Sequence, residues 1–181
     1  MQRFCRNTLG LLVLVGVCLF GSPPKAHADL KPTLISVTAN GDGTFRYTYR
    51  MTISEDVFNG PDVVRYGDYF TIYDFAGFTG VAAGPNSNWV FSSANFGLTP
   101  PEVNPADDPG IPNLTFTYVG QADLYGPQVL GLFYADSIYN GRALDSFAAS
   151  THRDDPDLGI IVIQSHTLTN VSVPSPRETP E

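Results

Sequence analysis

Cysteine occurs at only two positions, Cys5 and Cys18, and lysine at only two, Lys25 and Lys31. Both cysteines fall in an N-terminal stretch that reads as an export signal, so the mature chain has no thiol. That excludes zinc ribbons, iron–sulfur centres, a disulfide framework and a cysteine nucleophile. Basic residues are few and scattered along the chain, with no cluster to neutralise phosphates. Nucleic acid and anionic membrane surfaces are therefore not expected partners. No segment shows helical periodicity, and the longest apolar run, Leu9 to Phe20, is shorter than the roughly 20 residues that cross a bilayer. The chain has no His-x-Glu-x-x-His spacing, no Gly-x-Ser-x-Gly elbow and no Gly-x-x-x-x-Gly-Lys loop. The corresponding zinc hydrolase, serine hydrolase and phosphate-binding chemistries thus have no motif here.

The first 28 residues have their own logic. Arg3 and Arg6 precede the apolar run, Gly21-Ser22-Pro23-Pro24-Lys25 relaxes it, and Ala26-His27-Ala28 supplies small residues one and three places before a cut. Cleavage is expected between Ala28 and Asp29. A lipoprotein signal built on Cys18 fits worse, because Val17 stands where a small residue is needed and Leu19-Phe20 continue the apolar run. Removing 28 of the 181 residues leaves a length suited to one domain with one core. Arg3, Arg6 and Lys25 leave with it, so seven of the ten basic residues remain against 18 acidic ones, a net charge of about −11. The expected location is secreted or extracellular, with the periplasm as the other compartment and no permanent membrane anchor.

The mature chain is punctuated by glycine and proline around short runs rich in Thr, Val, Ile, Tyr and Phe, the composition of pleated sheet. From Thr44 to Ser54, Phe45, Tyr47, Tyr49, Met51 and Ile53 alternate with Thr44, Arg46, Thr48, Arg50 and Thr52, which predicts a strand with one apolar and one wet face. Asn40-Gly41-Asp42-Gly43 supplies a tight turn to a preceding strand, Thr33 to Ala39. Further strands are expected at Tyr69 to Phe75, Asn88 to Ser93, Asn113 to Val119, Val129 to Ser137 and Gly159 to Val173. Leu98 to Pro112 is too rich in proline for a regular element. Gly141 to Ser150 reads equally as a short helix or a weak strand, and Pro174 to Glu181 as an extended, mobile, proline-rich tail. The fold class expected is all-β: an antiparallel two-sheet β-sandwich, Ig-like or jelly-roll, over residues 29–173, with a barrel as the alternative.

Candidate chemistry is sparse. His152 and His166 are the only mature histidines, and His166 reads as a surface imidazole. Two acidic loops could offer oxygen ligands to calcium, Asp107-Asp108 and the group Asp154, Asp155 and Asp157, although aspartate beside proline also forms turns. No catalytic residue and no cofactor is expected. Trp89, flanked by Val90 and Phe91, is either core or an exposed platform for sugar rings, and the core reading is favoured. The sequons at Asn113 and Asn170 both fall in presumed strands.

The order of export signal, GDGTFRYTYRMTIS, GDYFTIYDFAGF, DDPGIPNLTFTY and a closing VSVPSPRETPE resembles bacterial PEP-CTERM proteins, which are sorted by an exosortase. Val173-Pro174-Ser175-Pro176 occupies the place of that family's Val-Pro-Glu-Pro-like motif, with Ser175 for glutamate, and no apolar span or arginine-rich tail follows it in this sequence. The resemblance implies a non-enzymatic exported protein with a cell-surface, extracellular-matrix or interaction role, with extracellular polysaccharide or other surface proteins as partners. A carbohydrate-binding module is the alternative expectation, and a small secreted hydrolase is third.

Overall fold

The computed structural model describes residues 30–56, 60–155 and 161–176, with side chains described for all of these except 55, 56, 60, 154, 155 and 161–163. The expected signal cleavage site, Ala28 and Asp29, lies outside the described residues.

The alternating stretch forms β2 (Phe45–Ile53), which pairs antiparallel with β1 (Leu30–Ala39) across the Asn40–Gly43 turn. Gly41 and Gly43 both take positive φ, at 85° and 88°, as that turn requires. Next along the chain come β3 (Glu55–Asp56), β4 (Gly60–Val64), β5 (Tyr69–Ile72), β6 (Phe78–Ala83) and β7 (Trp89–Ala94). The chain continues through β8 (Asn113–Tyr118), β9 (Leu124–Tyr125), β10 (Gln128–Ser137), β11 (Gly141–Asp155) and β12 (Ile161–Ser175). No helix occurs among the described residues, so none there is long and apolar enough to cross a membrane.

The strands form two antiparallel sheets, an all-β sandwich as the composition implied. The smaller sheet runs β1-β2-β10-β6. The larger runs β3-β4-β11-β5-β8-β7, with β12 on the far edge of β11 and β9 beside β4, and curls into a half-barrel. At one side β1 lies against β12, and at the other β6 lies against β7. The core between the sheets is aromatic. Phe70 stacks on Phe116 at 5.1 Å and Phe147 at 5.6 Å between ring centroids, and meets Phe133 edge-on at 5.0 Å. Such pairs add about 0.5–1.5 kcal/mol each beyond the area they bury. Two buried tyrosines of β2 tie the sheets together: the Tyr47 hydroxyl donates to the Gly141 carbonyl at 2.6 Å, and the Tyr49 hydroxyl to the Ser172 carbonyl at 2.9 Å.

Several boundaries differ from the sequence expectation. Gly141 to Ser150 is strand and continues to Asp155, paired along its whole length with β12. β12 runs through Pro174 and Ser175, which pair with Arg142 and Gly141, so the strand takes in the start of the expected tail. Pro174 is tolerated because β12 has only β11 as a ladder partner and needs no N–H donor on its other edge. β5 stops at Ile72, because Asp74 adopts a left-handed φ of 52° with its N–H held by Asn113 Oδ1 at 2.8 Å. Four strands had no sequence signal: β3, β4 and β9 are too short to alternate, and β6 (FTGVAA) contains Gly80 at φ 89° and few large residues.

Candidate functional site: the outer face of the four-stranded sheet

Strand register decides which of the scattered basic residues become neighbours. In the smaller sheet Lys31 lies opposite Thr52 and Thr52 opposite Val129; Thr33, Arg50 and Leu132 form the next outward row; Ser36, Thr48 and Tyr134 the next; and Thr38, Arg46 and Asp136 the last. The residues between them, Tyr47, Tyr49, Met51 and Ile53, are all buried on the inner face. Side chains alternate across a strand, so Lys31, Arg46 and Arg50 all face outward on one surface. That is three of the seven basic residues beyond Ala28.

The contrast with the other sheet is one of charge. The four strands of the smaller sheet carry these three basic residues and a single acidic one, Asp136. The eight strands of the larger sheet carry two basic residues, Arg142 and Arg153, and six acidic ones. In a chain of strongly negative net charge, one sheet face is positive. Its cations are arrayed along the strands: Arg46 and Arg50 are four residues apart on β2, about 13 Å, and Lys31 lies in the row beyond Arg50 on the neighbouring strand.

Arg46 is fixed in place. Its Nε and Nη2 each donate to one Asp136 carboxylate oxygen at 2.9 Å, and its guanidinium carbon lies 3.9 Å from the centroid of the Tyr134 ring. The hydrogen bonds to Asp136 raise its pKa, so it is charged at any working pH. Arg50 and Lys31 are exposed, and between and beside them lie the hydroxyls of Thr33, Thr48 and Thr52 and the exposed apolar side chains Val129 (57%) and Leu132 (47%). The face is hydroxyl-rich, part apolar and carries basic side chains.

The residues singled out in the sequence take other positions. Asp154 and Asp155 lie at the end of β11, paired with Val162 and Ile161; their side chains, and the whole of Asp157, lie outside the described residues. Asp107 and Asp108 do turn chemistry. Asp107 Oδ1 accepts from Asn113 Nδ2 at 2.9 Å, and Asp108 Oδ1 accepts from the Gly110 N–H at 2.9 Å. Both lie beside Asp74, which is 8% exposed, accepts the Asp108 N–H, and has its pKa pushed up to about 6 by burial, with the charges of Asp145, Asp107 and Asp108 adding to the rise. Among the described residues no three acidic, histidine or cysteine side chains are grouped to hold a metal ion.

His152 Nδ1 lies 2.9 Å from the carboxylate of buried Asp68, whose pKa is raised by its own burial against the opposing hydrogen bond from the imidazole. Ser150, two positions back on the same strand face, is 2% exposed, so its hydroxyl is closed to a substrate in solution. His166, read as a surface imidazole, is only half-exposed, and its Nε2 is buried without a hydrogen-bond partner. Trp89 is 7% exposed and packs on Phe70, Tyr118 and Phe133, as the core reading of its sequence context expected. Asn113 of the first sequon is fully buried, whereas Asn170 of the second is exposed. The cationic face itself had escaped sequence reasoning, although its two arginines stand on the wet side of the clearest strand. Lys31 joins them only through pairing of β1 with β2.

The class defined by these features is an antiparallel β-sandwich with an aromatic core and a cationic outer sheet face. Comparison with protein families, with curated proteins and with solved structures finds no match to this chain.

Proposed function

We propose that this chain is an exported, non-enzymatic protein that acts at the cell surface or in the extracellular matrix by binding through a sheet face, in the manner of the PEP-CTERM proteins its sequence resembles. The observation that supports this most is the division of labour in the smaller sheet. Its inner face is spent on the core, and its outer face collects charge opposite in sign to the rest of the molecule. A surface that serves solubility alone has no need to segregate charge this way. The N-terminal signal adds the compartment, and the absence of thiols after Ala28 suits a chain stabilised by packing outside the cell. The stacking form of a carbohydrate module is not favoured, because Trp89 is in the core.

Fractionation of producing cells, with mass spectrometry of the recovered chain, tests the reading. The expected result is a chain starting at Asp29 in the medium or surface fraction. A chain that keeps Met1 and stays in the cytosol overturns it.

A further inference from the structure

The edges of the two sheets differ in how they are protected. A strand edge with unpaired N–H and C=O groups is a template for another strand, and short length, lysine, proline or a bulge blunts it. β3 and β9 are two residues long, and β6 and β7 six. β1 carries Lys31 and Pro32 and breaks its register between Leu34 and Ser36. β12 has none of these devices before Pro174. It pairs with β11 over 15 residues without a register shift, has no other ladder partner among the described residues, and contains no Asp, Glu, Lys or Arg.

Neighbouring contacts fix which backbone groups of β12 face that edge. The Ser146 carbonyl accepts the Tyr73 N–H on the β5 side of β11, so odd-numbered residues of β11 turn their backbone groups to β12. Their partners on β12 are also odd-numbered, which leaves the N–H and C=O groups of Gln164, His166, Leu168 and Asn170 pointing to the free edge. The same parity puts the Ser172 carbonyl there, where the Tyr49 hydroxyl takes it, and Pro174, which has no N–H to leave unpaired. The open stretch is therefore 164–170. Gln164, Leu168, Thr169 and Asn170 are exposed along it.

We propose that two copies of this chain pair antiparallel through β12 about a two-fold axis at Thr167, joining their larger sheets into one. In that register Gln164 lies opposite the partner's Asn170 and His166 opposite the partner's Leu168, so all four open residues exchange backbone hydrogen bonds. Thr167 meets the partner's Thr167, and Ser165 the partner's Thr169, in the closer, non-hydrogen-bonded pairs. The Ser165 and Thr167 hydroxyls are buried without a hydrogen-bond partner in the single chain, and hydroxyl bonds across such pairs supply one. Charge favours a second copy as the occupant. Two molecules of the same strongly negative net charge approach with least repulsion along a strip that carries none. An axis at Leu168 would set Gln164 against Ser172, whose carbonyl is already held by Tyr49.

The pairing goes beyond the proposed surface role and holds in any compartment; a cytosolic chain that dimerises overturns the surface role alone. Chain recovered from producing cells, carrying Cys5→Ala and Cys18→Ala so that an introduced thiol is the only one, is followed by sedimentation and by mild oxidation. A dimer is expected. Thr167→Cys should link the copies, because facing Cα atoms in such a pair lie about 4.5 Å apart, within disulfide reach. Thr169→Cys, on the same face and more exposed, should not, because the partner's Thr169 stands four residues along, about 13 Å away. Leu168→Pro removes an edge N–H that the single chain leaves unused, and should give monomer with unchanged circular dichroism. Leu168→Lys keeps that N–H and should weaken the dimer about tenfold.

A chain that is monomeric wherever its concentration can be measured overturns the pairing. So does a dimer that survives both Leu168 substitutions, linking at Thr169 as readily as at Thr167, or a complex with a different protein that Leu168→Lys disrupts. If Leu168→Pro does not fold, Leu168→Lys and the contrast between Thr167 and Thr169 decide.

Discussion

Two hairpins of this protein, β1–β2 and β11–β12, have the same antiparallel ladder and opposite sequence signatures. In β2 every second residue from Tyr47 to Ile53 is buried, and Thr48, Arg50 and Thr52 between them are half-buried or exposed. In β11 the residues from Ser146 to Thr151 are all buried. The cause is what covers each hairpin. Nothing described overlies the outer face of β2, whereas the irregular segment 95–112 lies over the outer face of the larger sheet. Ser146 Oγ accepts the Ala106 N–H at 2.9 Å there, and Thr71 Oγ1 donates to the Leu98 carbonyl at 2.8 Å. Alternation in sequence therefore reports solvent on one face, not strand geometry itself. A strand covered on both faces loses its period, as Ser146 to Ser150 do, whereas Arg142 to Leu144 at the start of the same strand are exposed.

Mutation should separate the two hairpins, with the heaviest losses in the covered one. Phe147→Ala removes a ring of the central stack and should cost about 3–5 kcal/mol in urea unfolding. Thr48→Ala on the open face of β2 should cost less than about 0.5 kcal/mol. Ser146→Ala, on the covered outer face of β11, removes the acceptor of the Ala106 N–H and should cost about 1 kcal/mol, and a loss there no larger than at Thr48 would show that covering does not distinguish the hairpins.

Next in size is the buried ion pair at the far end of β11. Arg153 Nε lies 3.3 Å from Asp62 Oδ1, and both side chains are almost fully enclosed. Arg153→Met should cost about 3 kcal/mol, because it strands a buried carboxylate, and adding Asp62→Asn should recover part of the loss. A cost below about 1 kcal/mol would mean that water reaches the pair.

A smaller effect belongs to the covering segment. Asp74 accepts the Asp108 N–H from that segment, and its folded-state pKa of about 6 lies above the ordinary value of 3.8. The folded state holds this proton more tightly than the unfolded one, so the contribution is full below about pH 4 and is lost as pH rises through about 6. Asp74→Asn keeps an oxygen acceptor and tolerates the left-handed φ, so thermal melts of the variant should lack that decline. An unchanged pH profile would remove Asp74 as its source. Smallest of all, Arg50→Ala should change folding stability by no more than about 0.5 kcal/mol, which keeps the open face available for binding tests. A larger loss would give Arg50 a structural role.

Much of the fold was legible because water marks strands from one side. The β1–β2 hairpin, β7, β8 and β10 came from alternation and turn residues, and the proline-rich stretch from Leu98 to Pro112 is irregular as expected. β4 was illegible because its ladder is split between β3, β9 and β11, and no local pattern encodes three partial partners. The candidate site was half visible: Arg46 and Arg50 were read as the wet side of a strand, but their distance in sequence from Lys31 hid the cluster. The core place of Trp89 came from its apolar neighbours, whereas the Asp68–His152 contact joins residues 84 positions apart and leaves no trace in spacing.

Composition and local periodicity were enough for the thiol-free and acidic character of the chain beyond Ala28 and for the strand-rich class, because neither needs a partner elsewhere in the chain. Where the charge goes was a matter for the assembled sheets alone. Register places Lys31 beside the β2 arginines, covering hides the outer face of β11, and the closing of two sheets leaves one surface positive. Those outcomes depend on contacts between residues far apart in the chain, which local sequence does not record.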